Sequence, residues 1–251
     1  MMARARSKAM TGNHPGRTGP RTGRVGRAGA SGGSSSGRLA ARRQASSRPP
    51  ASKPLPSKEA VQALPPFERL ADEAIVMVTP SQAHAVAAEI ATHPVVGFDT
   101  ESKPVFVRGQ VQEGPHLVQF AVADRAWLFS MGDEQSVAAV AGLMQQAGLR
   151  KVGFGLAADR ALLARRLGAA PVSMIDLDSV YRQLGYRHST GIRMAVAITF
   201  GRYFEKSKTI GKSDWSRQPL SVPQRRYAAH DAWGAFRVYQ ALVAQQVEIR
   251  P

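Results

Sequence analysis

Asp99 and Glu101 stand two residues apart at the polar end of an apolar run, Val95-Val96-Gly97-Phe98. The run reads as a buried strand, and the period of two puts both carboxylates on one face. Like charges a few ångströms apart repel strongly where water is scarce, unless something positive sits between them. A divalent cation meets that need. For a D-x-E taken alone, acids pointing into solvent from a strand end are the competing reading.

A third carboxylate comes with a phenol. Ser221 and Gln224 form a capping-box pattern, Pro223 suits a first helical turn, and apolar residues continue at helical spacing through Val238, Leu242 and Val243. Tyr227 and Asp231 are then i and i+4 on one face, so both can serve the same small volume. His230 lies about 100° around the helix and is expected at a surface or packing position. A fourth acid, Asp159, follows the short strand Lys151-Val152-Gly153-Phe154-Gly155 and opens a helix, Ala157 to Leu167, closed by Gly168. A first-turn carboxylate is favoured by the helix dipole, which is a structural reason sufficient for Asp159 by itself. The glycines are consistent with close backbone approach, and Gly-Phe-Gly is too loose a pattern for a phosphate loop.

Taken together, Phe98-Asp99-Thr100-Glu101, then Val152 to Asp159, then Tyr227 to Asp231 resemble the three motifs of the DEDD superfamily of 3'-5' exonucleases, in order. Tyrosine four residues before the last aspartate, with Arg at 226, resembles the tyrosine branch. The segment Asp214-Trp215-Ser216-Arg217-Gln218-Pro219-Leu220 is similar to the corresponding run of ribonuclease D and Werner-type exonuclease domains. The likeness covers about residues 75 to 245. Ser102 stands where many Werner-type members have an aromatic residue, and Asp214 stands where relatives often have Asn; a local cap is the expected role for Asp214.

The resemblance implies a ribonuclease-H-like fold and hydrolysis at the 3' end of a nucleic acid with release of nucleoside 5'-monophosphates. It implies two divalent cations, Mg²⁺ or Mn²⁺, held by Asp99, Glu101, Asp159 and Asp231, with Tyr227 orienting the attacking water. Oxygen donors alone suit such hard ions. The Werner-type segment favours DNA over RNA. A non-catalytic nucleic-acid-binding module and a ribonuclease-D-like RNA trimming enzyme are the alternatives.

The elements that must position these groups follow from local pattern. Thr79-Pro80-Ser81-Gln82 starts a helix to about Thr92, ahead of the first strand. His116 to Ala123 and Arg125 to Ser130 read as a hairpin turning at Asp124. A helix from Glu134 to Ala147, the Lys151 strand, the Ala157 helix and a strand from Val172 to Asp176 come next, then helices at 177–184, 191–200 and 222–247. The expected architecture is α/β, a mixed five-stranded sheet flanked by helices.

Between the last two helices, Arg202 to Lys212 forms a basic loop. Lys206, Lys208 and Lys212 are candidate phosphate contacts there, with Lys103 after the first strand; a solvated surface loop is the plainer reading. Trp215 is placed as a base-stacking residue or a core anchor.

Charge divides the chain. Residues 1–60 hold 13 Lys/Arg and one acid, the rest 21 and 17, within a net charge of +16. Residues 1–64 are rich in Gly, Ser and Pro and are expected to be a disordered basic tail, with residues 65–251 as the exonuclease domain. A cationic arm suits phosphate backbones; a solubility tail or an internal start at Met10 or Met77 are equal alternatives. Zero cysteines exclude a disulfide framework and thiolate zinc sites. No membrane-length apolar run occurs, so a cytoplasmic protein with nucleic acid as its partner is expected.

Overall fold

A computed structural model describes residues 52–249 apart from 108 and 187. Its sheet comprises β1 (Ile75–Val78), β2 (Val95–Glu101), β3 (Leu117–Ala121), β4 (Ala126–Ser130), β5 (Arg150–Gly153) and β6 (Met174–Asp176) in the order β1-β4-β3-β2-β5-β6. The β2-β3 and β3-β4 pairs are antiparallel and the other three parallel, so the sheet is mixed as expected. It has one strand more than the expected five. The extra strand, β1, is four continuous apolar residues whose partner is the distant β4, and a run so short has no periodicity to read.

The helices are α1 (Lys58–Gln62), α2 (Ala83–Ala91), α3 (Glu134–Gln145), α4 (Ala157–Leu167), α5 (Leu177–Gln183), α6 (Ile192–Phe200), α7 (Lys208–Gly211) and α8 (Val222–Ala244). The expected capping box of α8 is present: the Ser221 hydroxyl accepts the Gln224 N–H, and the Ser221 N–H donates to the Gln224 side chain at 3.0 Å. Such a cap contributes about 1 kcal/mol. No described helix is long and apolar enough to cross a membrane.

Residues 52–64 were expected to belong to the tail, yet they carry α1. Ser57 caps it by accepting the Ala60 N–H at 3.1 Å, and Val61 is buried. Averaged composition concealed one apolar anchor among polar neighbours, so the ordered domain begins earlier than residue 65. The tail expectation for residues 1–51 lies outside the described residues. After α1 the chain is pinned to the segment preceding α7. The Phe67 N–H donates to the Tyr203 carbonyl and the Tyr203 N–H to the Pro65 carbonyl, each at 2.8 Å. Phe67 is buried with its ring 5.1 Å from Phe200 and 5.7 Å from Trp233.

Two cores form on opposite faces of the sheet. Val96 and Phe98 of β2 enter the core shared with α2, α3 and α4, whereas α8 packs across the other face with α5 and α6. The alternation therefore turns Gly97, Asp99 and Glu101 together toward α8. Gly97 is what lets α8 come so near. A β-carbon there would lie 1.9 Å from the Ala232 carbonyl oxygen and 2.9 Å from the Phe236 β-carbon. Gly97→Ala must push helix and strand apart beside Asp231, and we expect a loss at or above the upper end of the roughly 1–3 kcal/mol typical of overpacked cores. Urea unfolding measures it, and a midpoint equal to the native one would contradict this packing.

Candidate active site

Three of the four carboxylates meet at the end of β2. One oxygen each from Asp99, Glu101 and Asp231 can be chosen so that all three lie within 4.8 Å of one another. β2 supplies two and α8 the third; Asp231 is only 4% exposed. Burial is the main force on these groups; with repulsion from neighbouring acids it raises Asp99 to about 8 and Glu101 to about 9, and it moves Asp231 upward against the pull of Lys206. A cation entering at neutral pH therefore displaces protons.

Asp159 stands apart from this trio. It sits in the first turn of α4, and its carboxylate accepts the hydroxyl of Thr100, the residue between the two β2 acids. Burial raises its carboxyl, while the Thr100 hydrogen bond opposes that shift. Asp159 is near enough for its charge to raise Asp99 and Glu101.

Lys206 supplies the positive charge. Its ammonium lies 2.5 Å from Asp231 Oδ2 and 5.2 Å from the centre of the Tyr227 ring. Burial pulls this ammonium toward neutrality, but Asp231 and Asp99 outweigh it and hold the proton more firmly than in water. Sequence reasoning placed Lys206 in a phosphate-binding loop, whereas its head group belongs to the acid cluster. A lysine at a loop position carries no periodicity to show which way it turns.

Tyr227 is half-buried on the expected face of α8, one turn before Asp231. Its hydroxyl is backed by Gly211, where a β-carbon would lie 2.5 Å from the phenolic oxygen. The Trp215 ring sits 5.9 Å away, its indole N–H donating to the Gly211 carbonyl at 3.4 Å. Trp215 is fully buried. It braces Tyr227 and has no free face for a base, so the core-anchor alternative holds and the stacking role is corrected. Burial and the Asp231 charge raise the Tyr227 phenol above its ordinary range, so it stays protonated.

The remaining lysines divide. Lys103 pairs with Asp214 at 3.3 Å, and Asp214 also accepts the Ser216 N–H at 3.1 Å, the local cap expected of it. Lys208 and Lys212 are exposed and line a cavity that also touches Lys206 and Tyr227. His230 takes the packing role expected of it, its Nε2 accepting the Leu70 N–H at 3.2 Å.

Buried hard oxygens around one positive charge, with a protonated phenol on the same helix, suit a divalent cation and a phosphate ester. Residues 75–246 match the family described as 3'-5' exonuclease. The chain belongs to that family. Exonucleases of this family use divalent metals, and the acid cluster fits that chemistry. The mouse bifunctional 3'-5' exonuclease/ATP-dependent helicase WRN is 26% identical over 160 residues, covering 62% of this chain and 11% of that protein. Ribonuclease D of Pseudomonas paraeruginosa is 30% identical over 158 residues, covering 62% and 40%. The chain thus spans less than half the length of these relatives. Among solved structures, the EXO domain of Aedes aegypti Nibbler superposes with a TM-score of 0.61 at 21% identity, covering 72% of this chain and 94% of that one, a likeness of fold. In this exonuclease-family chain the motifs that suggested the resemblance lie together: Asp99, Glu101 and Asp231 in the cluster, Tyr227 beside it and Asp159 next to it.

Proposed function

We propose that this protein is a 3'-5' exonuclease that hydrolyses the terminal phosphodiester of a nucleic acid and releases nucleoside 5'-monophosphates. The observation that carries this reading is the meeting of Asp99, Glu101 and Asp231 around the Lys206 ammonium, one helical turn from Tyr227. Asp99, Glu101, Asp231 and Asp159 would hold two divalent cations, Mg²⁺ or Mn²⁺, which would supply Lewis acidity toward the phosphodiester. The chain's own residues do the rest. The Tyr227 phenol, protonated and braced by Gly211 and Trp215, donates or accepts one hydrogen bond and so orients a water beside Asp231. Thr100 fixes the rotamer of Asp159. Lys208 and Lys212 face the side from which a polyanionic strand arrives.

Tyr227→Phe keeps the ring packing and removes the orienting hydroxyl. We expect kcat to fall about 10²-fold with KM changed far less, the signature of a group acting mainly in the transition state. Steady-state kinetics separate the two parameters, and an unaltered kcat would reduce Tyr227 to packing.

DNA is the first reading, on the likeness to the WRN exonuclease, although the segment Asp214 to Leu220 is shared with ribonuclease D and does not itself choose the polymer. RNA is the second reading, favoured by the ribonuclease D relative, and no residue at the site identifies a 2'-hydroxyl. A time course on 5'-labelled single-stranded DNA, recessed duplex DNA and RNA of one sequence, with Mg²⁺, Mn²⁺ or chelator, tests all of this. A metal-dependent ladder shortening from the 3' end supports the exonuclease and selects the polymer. Intact substrates in every metal, with binding retained, would leave a non-catalytic nucleic-acid-binding module.

A further inference from the structure

A cavity of about 580 Å³ lies beside the acid cluster, and one of its walls is α1. Its volume falls within the roughly 300–1,000 Å³ of pockets that take small organic groups. A smaller cavity of about 190 Å³ contains Asp99 and Asp231, and the two share Gly191, Ile192 and Lys206. Five cations line the larger one: Lys58, Arg193, Lys206, Lys208 and Lys212. None of its described lining residues is acidic. Between the cations run apolar and aromatic surfaces from Val61, Tyr203 and Tyr227. Arg193 also carries a buried Nε without a protein partner among the described residues. Cations interleaved with apolar faces form a surface for phosphates linked to bases.

α1 has no part in the family match, which begins at residue 75. Its position is nonetheless fixed at both ends. The Lys53 N–H donates to the Gly185 carbonyl at 3.0 Å with the Lys53 ammonium 5.4 Å from the centre of the Tyr186 ring, and Pro65 to Phe67 pair with Tyr203. The helix is thereby held against the cavity as part of its lining, with Lys58 exposed.

We propose that α1 and the α7 region form a subsite for the nucleotides adjoining the 3'-terminal one, with Lys58 facing their phosphodiesters from one wall and Lys208 and Lys212 from the other. This inference rests on the exonuclease reading and extends the substrate site beyond the residues shared with the family. A single strand threads between the walls, its 3' end reaching the smaller cavity through the opening the two share at Lys206. The terminal nucleotide is cut there, and the upstream ones are gripped by the subsite without sequence readout.

The full chain is assayed with Mn²⁺ on 5'-labelled oligonucleotides of one sequence, from two to eight nucleotides long, as native protein, Lys58→Glu and Lys58→Arg. For Lys58→Glu the ratio of kcat/KM on the longest substrate to that on the dinucleotide is expected to fall about tenfold, because a phosphate contact is reversed only where an upstream phosphate exists. Lys58→Arg, which retains the charge, restores the ratio. A Lys58→Glu ratio equal to the native one, or a loss identical at every length, overturns the subsite. A second arm needs no turnover: in chelator, an oligonucleotide with a photoreactive base at the penultimate position is crosslinked and the adduct mapped by mass spectrometry. Adducts on residues 58–62 are expected, and adducts confined elsewhere overturn the proposal. Native protein that cuts no oligonucleotide in any metal defeats the exonuclease reading instead, and the crosslink still decides whether α1 touches the strand.

Discussion

Asp99→Asn is expected to lower nucleotide release at least about a thousandfold, roughly 4 kcal/mol of barrier, while leaving the domain as stable as before or more so. The two halves of this result have one cause. Asp99 is crowded by other acids: burial is the main force raising its carboxyl to about 8, and Asp231 and Asp159 add to it. An amide of the same shape keeps the packing against α8, relieves the repulsion and gives up one anionic donor. Catalytic groups are often held at such an energetic disadvantage, and replacing them exchanges activity for stability. Chelator-treated protein compared by thermal unfolding, with turnover measured in Mn²⁺, checks both sides. Native turnover in Asp99→Asn would remove this residue from the reacting groups.

Lys206→Met should act in the reverse sense on the metal-free protein. Its ammonium is the cation nearest Asp231, whose side chain is 3% exposed. Removing one partner of a buried ion pair commonly costs about 3–5 kcal/mol, because the remaining charge stays uncompensated. Proton uptake by the raised carboxyls limits the loss here, so we expect about 3 kcal/mol. For a domain of this size that is a fall of about 6–12 °C in Tm. Saturating Mn²⁺ should recover most of the difference, because the ion places positive charge among the same oxygens, and the metal-induced rise in Tm should exceed that of the native protein. Equal melting temperatures in chelator would show that Lys206 does not compensate the cluster.

Most of the site was legible because its parts sit on regular elements. The period of two along Val95 to Glu101 put Asp99 and Glu101 on one face, and the 3.6-residue period along Val222 to Ala244 aligned Tyr227 with Asp231 while turning His230 toward Leu70. The same logic recovered the β3-β4 hairpin and the capping box of α8. What escaped has long-range causes. β1 is defined by its partner β4 and α1 by the single buried Val61. Composition read Lys206 as one of several loop cations, and only the fold brings it to Asp231. Gly97 was visible as a residue but not as a spacing, since the carbonyl it accommodates belongs to Ala232 on α8.

α8 lies across β1 to β5, and Asp231 comes from the middle of that helix. Backbone amides around Asp231 should therefore exchange with deuterium only when the whole domain opens, whereas those of α7, a single turn carrying Lys208, should exchange through local opening. The anionic side of the site is thereby as persistent as the fold itself, and the cationic side can yield and reclose as each successive nucleotide advances.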